Sequence, residues 1–96
     1  MYELVFTKTF QADYKRLTSR NKLLKKQTKK ALQLLVQGPF YPSLKTHKVN
    51  TRRYGTRWSS WVTGDVRLIW DFTESKKLVI WLLDIGRHSG GSKIYK

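Results

Sequence analysis

The chain of 96 residues contains no cysteine, only six acidic residues, and no long apolar run. Each shortage excludes something. Without cysteine there is neither a disulfide framework nor a thiolate metal site, a usage that fits a cytoplasmic protein. No run of about 18 apolar residues occurs, so no membrane-spanning segment is expected. The opening "MYELVFTKTF" has no basic lead-in followed by an apolar stretch, and no signal peptide is expected either. The scarcity of acid leaves twenty lysines and arginines largely unbalanced, a formal net charge of +14. A field of that strength on so small a body favours a polyanion: nucleic acid, the ribosome, an acidic protein segment or an anionic membrane surface.

What is present reads as one domain over residues 1–96, without internal repeats or low-complexity segments. A chain of this length buries roughly 60–65% of its unfolded surface, enough for one modest core. "YELVF" at 2–6 is a short β-prone segment, followed by threonines able to cap a helix. From Lys8 the spacing turns helical, with Phe10, Tyr14 and Leu17 on one face. "TSRN" at 18–21 reads as a break and a new cap. Residues 22–37 form the strongest helix pattern. Leu24, Thr28, Ala31, Leu32 and Leu35 share one face, and Lys22, Lys25, Lys26, Lys29 and Lys30 fall on the opposite arc. "GPFYP" at 38–42 ends it.

Three strand patterns follow, at 56–62, 65–72 and 76–85, rich in aromatic and β-branched residues and joined by "TGD" and "TESK" turns. In the second, Val66, Leu68, Trp70 and Phe72 point one way, and Asp65, Arg67, Ile69 and Asp71 the other. The third is apolar on both faces, as a central strand should be. The expected architecture is α+β, in the order β-α-α-β-β-β, with a helical hairpin packed on one side of a twisted antiparallel sheet.

The helix lysines are a solvated face as much as a nucleic-acid stripe. "KTHKVNTRRYGTR" at 45–57 differs in kind, because loops flanked by sheet collect functional groups. The only histidines are His47, in that segment, and His88, after the last strand. Two histidines without a carboxylate cluster make a poor metal site. They do suit RNA cleavage, in which a 2′-hydroxyl loses a proton, the leaving 5′-oxygen gains one, and the phosphorane needs cations. Imidazole titrates near neutrality and serves either proton role, and arginine holds phosphate oxygens bidentately.

The quoted segments "LKTHKV" at 44–49, "GDVRLIW" at 64–70 and "LLDIGRHSGGSKIY" at 82–95, in this order and in a basic chain of this length, resemble the RelE/ParE superfamily of type II toxins. The similarity is nearest to the RelE- and YafQ-like messenger RNA interferases. The resemblance implies a RelE-like fold and an endoribonuclease that enters the ribosomal A site and cuts messenger RNA there, without metal or other cofactor. Its partners would be the ribosome and a cognate antitoxin that wraps the toxin and blocks the site. By position, His47 matches a loop histidine, Asp65 a strand-start acid and His88 the histidine after the last strand. Arg67 matches a phosphate-binding arginine and Tyr95 the C-terminal aromatic. Arg87, Lys45, Lys48, Arg57 and Lys93 complete the set as candidate RNA and phosphate contacts.

Two departures stand out. Where relatives carry lysines or a further histidine, this chain has "WSSW" at 58–61, so that contribution is missing or moved to Lys45, Lys48 or Arg57. The glycine-rich "SGGS" before Tyr95 loosens the alignment of that tyrosine. Asp84 reads as structural, paired with an arginine near the strand end. Two other readings share the fold: a ParE-like protein that poisons DNA gyrase, and a non-catalytic RNA- or ribosome-binding relative.

Overall fold

A computed structural model of the chain describes residues 1–73 and 78–88. The elements run β1 (Glu3–Phe6), α1 (Lys8–Thr18), α2 (Lys22–Gln37), a 3-10 turn (Pro42–Leu44), then β2 (His47–Thr51), β3 (Gly55–Trp61), β4 (Val66–Phe72) and β5 (Val79–Arg87). Local chemistry sets the helix boundaries. The Thr7 side chain accepts the Phe10 N–H at 3.2 Å, and its hydroxyl donates to the Leu82 carbonyl at 2.8 Å, so one residue caps α1 and ties it to β5. Asn21 caps α2 by accepting the Leu24 N–H at 2.9 Å. At the other end the Gly38 N–H reaches back to the Leu34 carbonyl at 2.9 Å before proline and the 3-10 turn take over.

The five strands form one sheet in the order β1-β5-β4-β3-β2. β2 to β5 make an antiparallel meander, whereas β1 joins β5 in parallel register, Leu4 opposite Ile80. The sheet is therefore mixed at one edge. The reason is the chain path: β1 leaves into the helical hairpin, and β5 comes back beside it only after the meander. The basic segment that the sequence leaves between loop and strand becomes β2 and the start of β3. Gly55 closes the turn between them at φ +74°, a left-handed conformation natural to glycine. The Thr51 hydroxyl staples that turn, donating to the Gly55 carbonyl and accepting from the Tyr54 N–H, both at 2.8 Å.

The core lies between the helices and one face of the sheet. Phe10, Leu24, Ala31 and Leu35 meet Leu44, Val66, Leu68, Trp70, Ile80, Leu82 and Ile85, with Tyr14, Leu17 and Leu32 packed around them. Thr28, fully buried among these apolar side chains, satisfies its hydroxyl on the Leu24 carbonyl at 2.8 Å. Leu82 and Ile85 are three residues apart yet both join this core. A bulge explains it: Trp70 pairs with Leu82 but Ile69 with Asp84, so β5 spends one extra residue, Leu83.

The bulge has a second effect. It places Asp84 on the face turned away from the core, in a row with Ile69 and Ser59, all three buried. The Tyr54 hydroxyl, in the β2–β3 turn, donates to Asp84 Oδ2 at 3.2 Å, so that turn reaches across β4 to β5. β4 is consequently buried on both sides, which alternation alone does not indicate. The expected "TESK" turn lies outside the described residues except for Thr73, and β5 starts at Val79.

Candidate functional site

The β3–β4 turn organises one corner of the sheet. The Thr63 hydroxyl accepts the N–H groups of Asp65 and Val66, at 3.2 and 3.0 Å, and holds the "TGD" turn closed. Asp65 then faces the end of β5. Its Oδ2 pairs with Arg87 Nη1 at 3.1 Å, and its carbonyl accepts the His88 N–H at 2.6 Å. The ladder thus extends one residue past β5 and fixes where His88 begins. Both members of the ion pair are well exposed, so the pair adds little to stability but orients the guanidinium. Asp65 is at once a turn residue and a neighbour of Arg87 and His88.

Arg67 sits in the same corner in an unexpected way. It is 6% exposed, donates Nη1 to the Thr63 carbonyl at 2.7 Å, and lays its guanidinium 4.2 Å from the Trp61 ring centre. Trp61 is its cross-strand partner. A cation so enclosed braces the turn and the indole and is little available to a phosphate. Lys45 approaches Trp61 as well, its Nζ 4.8 Å from the ring centre. The backbone of Lys45 is left-handed at φ +47°, a strained setting for a residue with a Cβ, right after the 3-10 turn. His47, two residues on, is exposed, and its Nδ1 lies 2.9 Å from the Lys45 carbonyl. It opens β2 opposite Ser59, on the face that carries Trp61 and Arg67.

The corner therefore gathers Asp65, Arg67, Arg87 and the start of the His88 residue directly, with Lys45 and His47 brought in through Trp61. β2 and β5 stand three strand spacings apart, about 14 Å, with His47 at the start of the first and His88 just past the end of the second.

Two candidates go elsewhere. Lys48 places Nζ 4.8 Å from Trp58, which stacks on Trp70 with ring centres 5.9 Å apart, on the core side of the sheet. Arg57 pairs with Asp71 at 3.0 Å and donates Nε to the Tyr54 carbonyl, so it serves the β2–β3 turn. Tyr95 and Lys93 lie outside the described residues.

Asp84 is structural, but its partners are not an arginine. They are the Tyr54 hydroxyl, the Ile85 N–H and the Asp13 carboxyl of α1. Burial, reinforced by Asp13, pushes its carboxyl up to about 7. Burial and the adjacent Asp84 charge raise the Tyr54 phenol as well.

The "WSSW" stretch is not vacant. Ser60 is buried and accepts the Trp70 indole N–H at 2.8 Å while bonding the Thr46 hydroxyl at 2.6 Å. Trp58 belongs to the aromatic stack. Trp61 shares its face of the sheet with the buried Ser59 and is the one of the two that reaches the corner partly exposed, and the sequence signal was available: it is the residue whose strand parity and hairpin register oppose Arg67. Among the described residues no group of three or more His, Asp or Glu side chains is set to hold a metal, and no helix is long and apolar enough to cross a membrane.

A family model for the "bacterial toxin of type II toxin-antitoxin system, YafQ" matches residues 2–90. Among solved structures, the chain is similar to a YoeB/ParE toxin from Agrobacterium tumefaciens, at 17% identity and TM-score 0.70, covering 91% of this chain and 99% of that one. It is similar to the E. coli DinJ–YafQ complex at 20% identity and TM-score 0.69, covering 92% and 94%. YafQ from E. coli BL21(DE3) alone gives 17% identity and TM-score 0.66 over 91% and 93%. At these identities the structural likeness speaks to fold. A search of curated protein sequences finds no match.

Proposed function

Because the chain belongs to the YafQ family of type II toxin–antitoxin toxins, we propose that it is a ribosome-dependent endoribonuclease that cuts messenger RNA by attack of the RNA 2′-hydroxyl. The observation that supports this reading is the basic corner itself: Asp65 aims the exposed Arg87 beside the exposed His88, the Arg67–Trp61 pair and Lys45 stand by the same turn, and the exposed His47 opens β2 next to Lys45.

The chemistry follows from what those groups do. One imidazole takes the 2′-hydroxyl proton as the oxygen attacks phosphorus. The other donates a proton as the bond to the 5′-oxygen breaks, leaving a 2′,3′-cyclic phosphate and a free 5′-hydroxyl. In-line displacement needs base and acid on opposite sides of the phosphorane, and this reading assigns those two places to His47 and His88. Arg87, exposed and already aimed by Asp65, neutralises the equatorial oxygens. Arg67 holds the turn and the indole in place behind it. The +14 charge draws the protein to ribosomal and messenger RNA. Its working place is then the cytoplasm, and its regulator a cognate antitoxin of acidic or amphipathic helical character that covers the corner.

The test is induction in growing cells with mapping of messenger 5′ ends, wild type beside His88→Ala. New codon-phased ends that vanish in the variant support the reading. Growth arrest with intact messengers and altered DNA supercoiling contradicts it in favour of gyrase poisoning.

A further inference from the structure

We propose that Trp61 is a stacking platform for one nucleobase of the RNA, with Lys45 as the cation that yields its place to the base. The inference rests on the RNA-cleaving reading and adds a binding residue to it.

The four tryptophans have distinct fates. Trp70 is fully buried, and Trp58 stacks on it beneath Phe40. Trp81, 41% exposed, pairs with Val5 at the other end of β5. Trp61 is the last residue of β3, partly exposed, and opposite Arg67 in the corner with Asp65 and Arg87. Its indole meets two cations of different character. Arg67 is enclosed and anchored on the Thr63 carbonyl at 2.7 Å, so it sets the ring's orientation. Lys45 is exposed, reaches the ring on a flexible four-carbon stem at 4.8 Å, and can swing away.

A packed tryptophan needs no such surroundings. A tryptophan held rigid by a buried arginine, with a solvent-side lysine resting on it, suits the chemistry of a nucleotide: base on the indole, phosphate on the displaced ammonium. Base–aromatic stacking tolerates any base, because every base has a π-face, and single-strand sites combine it with cations in this way. The indole also lies where a nucleotide adjoining the scissile phosphate would fall, since Trp61 and Arg87 flank β4 near the same turn.

The experiment uses the full chain and ribosomes programmed with a messenger whose A-site codon carries 2′-O-methyl groups, so that binding is read without cleavage. Trp61→Phe keeps a π-face and Trp61→Leu does not. Trp61→Leu is expected to weaken binding about 10- to 100-fold and Trp61→Phe only a few-fold. Tryptophan fluorescence should be quenched on binding by wild type and much less by either variant. Lys45→Met should reduce the slope of log affinity against log salt by about 0.7 on a single-stranded oligonucleotide. A merely structural Trp61 would lower the melting temperature in both variants and leave the affinity of the folded fraction unchanged, which overturns the proposal, as does equal loss in Phe and Leu variants. If wild type binds the methylated complex but leaves the unmodified messenger intact, the cleavage reading fails while the platform stands. If wild type binds neither RNA, both fall.

Discussion

Replacing Asp84 by asparagine should stabilise the protein above neutral pH and do little below pH 5. Asp84 is 4% exposed, with the Tyr54 hydroxyl from the β2–β3 turn, the Ile85 N–H of its own strand and the Asp13 carboxyl of α1 around it. The further charges in reach are Arg16, paired with Asp13, and Arg53, beside Tyr54. The carboxyl titrates near 3.8 when unfolded and about 7 when folded. A group raised in this way contributes stability that is fully present below the unfolded value and lost as pH rises through the folded one. Three pH units correspond to a ceiling of about 4 kcal/mol, and with the proton shared with Asp13 an effect of about 2 kcal/mol is a reasonable working size. For a protein this small that is a melting shift of about 8–16 °C. Asparagine keeps the Oδ1 acceptor for the Ile85 N–H, puts N–H donors in place of Oδ2 from which the Tyr54 hydroxyl and the Asp13 carboxylate can accept, and has nothing to ionise. Thermal melts followed by circular dichroism at pH 5 and pH 8 should show wild type losing stability across the interval and Asp84→Asn holding level, with the difference between the two proteins isolating the carboxyl. A wild-type melting point unchanged between the two pH values, or an asparagine variant equally weakened at both, refutes the reasoning.

Three further outcomes follow from the corner and its supports. Ser60→Ala should cost about 1–3 kcal/mol, because it strands the buried Trp70 indole N–H; chemical denaturation measures it, and cleavage per folded molecule should be unaffected. Arg67→Ala and Arg87→Ala should separate: the first, which removes an enclosed guanidinium braced on Thr63 and Trp61, should lower stability by about 2–3 kcal/mol. The second should change stability by less than about 1 kcal/mol yet reduce cleavage on ribosomes at least tenfold. Asn21→Ala should destabilise by about 1 kcal/mol through loss of the α2 cap, measured in the same denaturation series, with no change in RNA binding.

Much of the fold was legible because its signals are local. The lysine-backed face of residues 22–37 has one helical reading, and Leu24, Thr28, Ala31 and Leu35 are buried as the period requires. Alternation in β4 placed Val66, Leu68 and Trp70 on the core side. The parallel pairing of β1 was not legible, since it joins residues more than 70 positions apart. Nor was the bulge at Leu83, which no residue type in "WLLDIG" announces, and with it went the environment of Asp84. In the site, the gathering of Asp65, Arg87 and His88 follows from short-range hairpin geometry. What the sequence obscured was accessibility. Arg67 looks like a phosphate ligand by type and is enclosed because β4 is covered on its second face. Trp61 looks like a lost catalytic position and turns out to face the corner, a distinction that depends on strand register more than on composition.

The proposed activity is metal-independent attack of the RNA 2′-hydroxyl at the corner between β2 and the end of β5. The most direct measurement incubates purified protein with programmed ribosomes in the presence of a chelator that leaves the ribosomes intact, then determines the termini of the A-site messenger. The expected result is a single cut with a 2′,3′-cyclic phosphate upstream and a 5′-hydroxyl downstream, lost in His88→Ala. An intact messenger, or fragments ending in 5′-phosphate, would contradict it.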